Sequence, residues 1–145
     1  MPIVGFNFDK TTAEKKANVK KGMQASHSIL IKSVLPEKIN LGKEQTSSGL
    51  KFTFEYNVKY EPKIGEVNVT GHILFLEEEK RIKEILTNWT KNKKIESELT
   101  TQIINTAIVK STIKALSLSQ DLNLPPHLPI PVVSPHIDKA REYIG

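Results

Sequence analysis

The residues of this chain whose types could do chemistry are four histidines, a run of three glutamates and two clusters of lysine. His27, His72, His127 and His136 show no spacing of a ligand pair on one helix. A single imidazole in such a setting reads as exposed or satisfied within the fold; His72 falls on the polar face of a strand and His127 within a proline-rich segment. Glu77, Glu78 and Glu79 stand where a strand gives way to a helix, and carboxylates there suit a helix N-terminus better than general acid–base work. The chain has no cysteine, which excludes thiolate catalysis, disulfides and cysteine-based metal sites. It also has no Gly-rich phosphate loop, nucleophile elbow or metal box. The expectation is a protein with no catalytic residues, no metal and no cofactor: not an enzyme.

The lysines carry the stronger signal. Formal net charge is +5, and only two of the 21 basic residues are arginine, Arg81 and Arg141. One cluster is Lys10, Lys15, Lys16, Lys20 and Lys21, opposed nearby by Asp9 and Glu14; the other is Lys91, Lys93 and Lys94, with Lys80, Arg81 and Lys83 upstream. Clustered cations point to a polyanion, most often nucleic acid, and these eight lysines are the candidate RNA or phosphate contacts. The same bias also suits ordinary solvated surface, or the Lys/Glu-rich surface of a thermophile.

The elements that must position these groups read clearly in places. The 145 residues predict one domain, 1–145, divided into an apolar tip with a basic segment (1–24), an antiparallel sheet (25–76), helices (79–118) and a proline-rich strap (121–135). Hydrophobic content of 38% and aromatic content of 6% are low for a self-sufficient globule, so either part of the chain is mobile or a partner chain completes the fold. No apolar run approaches membrane-spanning length and the N-terminus lacks a signal-peptide pattern, so a cytoplasmic protein is expected.

Val4, Phe6 and Phe8 alternate as a first strand; residues 10–24 read as a loop or a loose helix. Ile29, Ile31 and Val34 indicate a second strand closed by Pro36. The clearest strand is 50–60, with Leu50, Phe52, Phe54, Tyr56, Val58 and Tyr60 on one face. Turn residues 61–65 lead into a return strand carrying Val67, Val69, Gly71, Ile73 and Phe75, where mid-strand Gly71 marks a bulge or a close approach. Ile82, Ile85, Leu86 and Trp89 then follow helical spacing.

A long helix spans 99–118, with Ser97 as its expected N-cap. Apolar residues nearly encircle it, leaving Gln102, Thr106, Lys110 and Lys114 as its polar stripe. One sheet face cannot bury so wide a surface, which predicts a homodimer or dimer of dimers with Ile104, Ile108 and Ala115 at the interface. Five prolines follow between Pro125 and Pro135, interleaved with Leu122, Leu124, Leu128, Ile130, Val132 and Val133. Proline cannot continue a helix or a central strand, so this segment is expected to dock extended over a surface, its leucines and Ile130 lining an apolar groove. Ser134 and Pro135 read as the start of a short terminal helix.

This order of elements resembles the SecB-like fold of the bacterial export chaperone SecB family, in which a four-stranded antiparallel sheet precedes a long helix and a leucine-asparagine-leucine-proline-proline segment. The residues that carry the resemblance are Leu122, Asn123, Leu124, Pro125 and Pro126, directly after the long helix. SecB proteins are acidic and carry aromatics at the start of their long helix; this chain is basic and has no aromatic between Gln102 and Lys110. The start, MPIVGFNFDK, is similar to that of a family of small archaeal proteins. The resemblance implies an α+β SecB-like fold, and two binding functions follow. The first expectation is a ribosome- or RNA-associated protein that binds a ribosomal subunit, blocking association or pairing subunits; its lysines contact phosphate, and Pro2, Ile3, Val4 and Phe6 form a tip that enters a partner. The alternative is a SecB-like holdase chaperone for unfolded polypeptides.

Overall fold

The computed structural model describes residues 3–40, 42 and 46–128. Four strands come first: β1 (Ile3–Lys15), β2 (Gln24–Asn40), β3 (Thr46–Glu61) and β4 (Gly65–Leu76). Two helices follow, α1 (Glu79–Asn92) and α2 (Ser97–Asp121). The strands make one antiparallel sheet in the order β1-β4-β3-β2, so β1 and β2 are its edges. Both helices pack on one face, giving the two-layer α+β architecture expected from the sequence.

The β3–β4 hairpin is the frame. Its register pairs Tyr60 with Gly65 and Phe52 with Ile73, so the alternating apolar residues of both strands point to the helices. The opposite face is polar: Asn57 donates to Glu55 (2.9 Å), Lys32 pairs with the same carboxylate (3.1 Å), and Asn68 donates to Asn57. Gly71 is a close approach. A β-carbon there would lie 2.8 Å from the Phe54 ring and meet the carbonyl oxygen of Asn7 on β1.

The edge strands depart most from the sequence reading. β1 continues through residues 10–15, where a loop or loose helix was expected. Irregularities between Ile3 and Gly5 and between Phe8 and Lys10 shift the pleat, so Ile3, Phe6 and Phe8 face the core, followed by Thr11 and Ala13. The phase change at Asp9 hides the period-two signal. The first irregularity also turns Val4 outward, so it does not share a face with Phe6 and Phe8 as the alternation suggested. β2 likewise runs past Pro36 to Asn40, because an edge strand tolerates a residue without an N–H. Its register slips between Ile31 and Ser33, which lets Ile29, Ile31 and Val34 all reach the core.

Two core clusters lie along the covered face. The first joins Phe52, Phe54, Ile73 and Phe75 to Ile82 and Ile85 of α1 and to the first half of α2. The second joins Tyr56, Val58, Tyr60 and Val67 to Ala115 and to Leu124 beyond the helix. α2 crosses both on a stripe of every fourth residue, Leu99, Ile103, Ala107, Ser111, Ala115 and Ser119. Small residues in its second half let the helix sit close over the two tyrosines. Glu96, not Ser97, is the N-cap of α2.

The strap is described as far as Leu128. Leu124 is buried, its N–H bonded to the Ser119 carbonyl (2.9 Å). Tyr60 donates its phenol to the Pro125 carbonyl (2.6 Å) and shares a hydrogen bond with Ser119 Oγ (3.0 Å). Ile130, Val132, Val133 and the segment expected to form a short terminal helix lie outside the described residues, as do Met1 and Pro2.

Candidate functional site: an apolar groove beside an edge strand

The turn between α1 and α2 stands away from the edge strand β2 and leaves a groove of roughly 650 Å³. Leu30, Ile31 and Lys32 of β2 form one wall; Trp89, Lys93, Lys94 and Ile95 form the other, and Thr100 and Ile104 of α2 close the floor. Each wall has a local cause. The slip in β2 beside Lys32 brings three consecutive residues to the groove, and Leu30 is 47% exposed there. α1 ends at Lys93, whose left-handed backbone (φ 54°) and N–H bond to the Trp89 carbonyl (2.8 Å) turn the chain out of the helix. Arg81 pairs with Glu96 and Thr100 donates to the Ile95 carbonyl (3.2 Å), tying the turn to both helices.

The lining is aliphatic and aromatic below and cationic above. Lys93 Nζ lies 5.2 Å from the centre of the Trp89 ring, a cation–π contact that leaves the ammonium at the rim. The lining brings together no acid–base pair and no nucleophile with a base; it offers apolar surface, one threonine hydroxyl and three lysines.

A second polar constellation holds the strap. His127 is 8% exposed, and a hydrogen bond of 2.8 Å links its Nε2 to Tyr56 Oη, which also lies 3.3 Å from Thr112 Oγ1. The His127 Nδ1 atom is buried without a partner among the described residues. His27 of β2 stands with its ring 5.7 Å from that of His127. Burial first, and His27 second, hold the His127 imidazole below the ordinary histidine range; burial raises the Tyr56 and Tyr60 phenols. This is a structural lock of the strap, in which Tyr56 Oη and His127 Nε2 are spent on one another.

The structure separates most of the sequence-derived site residues. All eight candidate phosphate-contact lysines are exposed, but they form two groups. Lys10 and Lys15 lie on β1, and Lys16, Lys20 and Lys21 lie in the connection that crosses the hairpin end of the sheet. Lys91, Lys93 and Lys94 lie at the end of α1, beside the middle of β2, the opposite edge. Of the expected tip, Ile3 and Phe6 pack on the first core cluster, Phe6 stacked on Phe54 at 5.4 Å, and Val4 is 39% exposed.

Leu122 and Leu124 pack into the second core cluster, and Leu124 also edges a depression beside Val19, Leu116 and Pro125. Of the expected interface residues, Ile104 and Ile108 are half-buried, while Ala115 is fully covered by its own sheet and is unavailable to a second chain. The exposed apolar residues of α2 are instead Val109 (60%) and Ile113 (66%).

Sequence reasoning missed Trp89, Ile95 and Leu30 as groove residues. One signal was present: Ile29, Leu30 and Ile31 are consecutive apolar residues in a strand that should alternate. The strap lock also had a signal, since Tyr56 and Tyr60 stand on an apolar face and buried phenols require partners.

No protein-family model matches this chain, and no curated protein sequence matches it. No helix among the described residues is long and apolar enough to cross a membrane. Among solved structures, the chain is similar to the Mycobacterium tuberculosis Rv1957 SecB-like chaperone, solved in complex with a ChAD peptide from the Rv1956 HigA1 antitoxin. The likeness has a TM-score of 0.49 and 12% sequence identity, covering 94% of this chain and 92% of that one.

Proposed function

We propose that this protein is a non-enzymatic polypeptide-binding protein of holdase type, which retains extended apolar segments of other chains in the groove between β2 and the α1–α2 turn. The carrying observation is the groove itself. Leu30, Ile31, Trp89, Ile95 and Ile104 form an open apolar surface beside an edge strand, where a segment gains by burying side chains irrespective of its exact sequence. Nucleic-acid binding is the weaker reading, because the lysines do not form one track: one cluster runs from the middle of β1 to the hairpin end, and the other lies beside the middle of the far edge.

The protein works as a homo-oligomer through α2. Thr101, Asn105, Val109, Ile113 and Ser117 make a stripe without a charge on a chain of net charge +5, a surface that a second copy can cover without repulsion.

Trp89 is the single tryptophan of the chain and lines the groove, so its emission reports occupancy. Titration with an unstructured Leu/Ile/Val/Phe-rich peptide should shift that emission to the blue. Light scattering from a denatured model protein diluted into buffer should fall when this protein is present. Ile104→Asp should abolish both effects while circular dichroism stays native. Tight binding of ribosomal subunits or RNA, steeply weakened by salt, with no response to apolar peptides would overturn the proposal.

A further inference from the structure

The groove has a sign as well as a shape. Three ammonium groups belong to its lining, Lys32, Lys93 and Lys94. Two nearby carboxylates are already committed: Glu55 accepts from Lys32 at 3.1 Å and from Asn57 at 2.9 Å, and Glu96 is held by Arg81. Hydrogen bonding to Asn57 and Lys32 keeps the Glu55 carboxyl below the ordinary carboxylate range, so it stays charged and engaged at neutral pH. Among the described residues no carboxylate pairs with Lys93 or Lys94. Both are exposed, and Lys93 rests on Trp89, which holds its ammonium at the rim beside the apolar lining.

Resting on the polypeptide-binding reading above, we infer that the groove selects apolar segments flanked by aspartate or glutamate, with the apolar residues seated on Trp89, Ile95 and Ile104 and the flanking carboxylates set against Lys93 and Lys94. Segments flanked by lysine or arginine are rejected by like charge at the same rim. Nucleic acid fits less well. Trp89 is the one aromatic of the lining and Lys93 lies over one of its faces, so no series of aromatic faces is offered to successive bases.

Three peptides with one apolar core, flanked on both sides by Asp, Ser or Lys, separate the possibilities when titrated against the full chain with Trp89 emission and peptide anisotropy as readouts. At low ionic strength the Asp-flanked peptide should bind about tenfold more tightly than the Ser-flanked one, and the Lys-flanked peptide more weakly than both. Near 1 M salt, where the Debye length is about 3 Å, the three should converge to within about twofold. The pair Lys93→Asn and Lys94→Glu should remove or invert the order without unfolding the chain, since both side chains are exposed and asparagine tolerates the left-handed backbone at Lys93.

Equal affinity for all three peptides at low salt would overturn the charge selection and leave the polypeptide-binding reading standing. No response to any of them would overturn both. A uridine oligomer that quenches Trp89 and displaces the Asp-flanked peptide at equal charge would show a general polyanion site and overturn the inference.

Discussion

Replacing Tyr60 by Phe tests whether the strap is held by hydrogen bonding or by its leucines alone. The ring is 1% exposed and lies among aliphatic residues of the second core cluster, so phenylalanine preserves the packing and removes one oxygen. That oxygen makes two contacts, a 2.6 Å bond to the Pro125 carbonyl and a 3.0 Å bond with Ser119 Oγ. Ser119 keeps a partner, because without the phenol its hydroxyl proton goes to the Ala115 carbonyl, 2.8 Å away. Pro125 is half-buried, so its carbonyl recovers part of the loss from water. One neutral hydrogen bond lost and one acceptor partly desolvated amount to about 1–2 kcal/mol. For a chain of 145 residues this corresponds to a melting temperature lower by about 3–7 °C. The assay is thermal unfolding by circular dichroism, with hydrogen exchange at the Leu124 amide, whose bond to Ser119 reports docking of the strap. A melting temperature within about 1 °C of the parent, with Leu124 protection unchanged, would refute the account: the strap would then be anchored by apolar burial and the phenol would be incidental.

The strap should also respond to pH. The docked His127 has a lowered pKa, so the released strap binds the proton more readily; docking is complete above the ordinary histidine value near 6.5 and weakens as pH falls through it, by up to about 1.4 kcal/mol per pH unit. Exchange protection of the Leu124 amide should fall in that window, and His127→Phe should flatten the response. Gly71→Ala should destabilise by at least about 1–3 kcal/mol in chemical denaturation, because the new β-carbon meets the Phe54 ring and the Asn7 carbonyl; a stabilised variant would contradict the close approach. Phe6→Ala should lower stability by about 3–5 kcal/mol through lost packing on Phe54 and Phe8, with peptide binding by the folded fraction unchanged. Ile113→Asp should leave the fold intact and shift sedimentation to the monomer, since the side chain it replaces is 66% exposed in a single chain.

Much of the frame is set by local pattern. Residues 50–60 alternate without interruption and residues 67–73 nearly so, and period-two placement of side chains decides both strands and the face they bury before any tertiary contact forms. The spacing of Ile82, Ile85, Leu86 and Trp89 decides α1 in the same way, and the prolines after Leu124 decide where α2 must have ended. The edges are different. In β1 and β2 a slipped residue reverses the pattern midway, and only pairing with β4 and β3 determines which residues then face inward; hence residues 10–15 look irregular in isolation and Val4 looks buried.

The groove belongs to the tertiary structure altogether. Leu30, Trp89 and Ile104 are far apart in the chain, and the spacing of each assigns it elsewhere: Leu30 to the outer face of a strand, Trp89 to the core face of α1 and Ile104 to a subunit interface. They form an open surface because the left-handed turn at Lys93 and the slip beside Lys32 hold the α1–α2 connection away from the edge of the sheet. The charge count announces that the chain is basic. Whether those charges make one track or two separate clusters depends on the strand order, because β1 and β2, adjacent in sequence, end at opposite edges of the sheet.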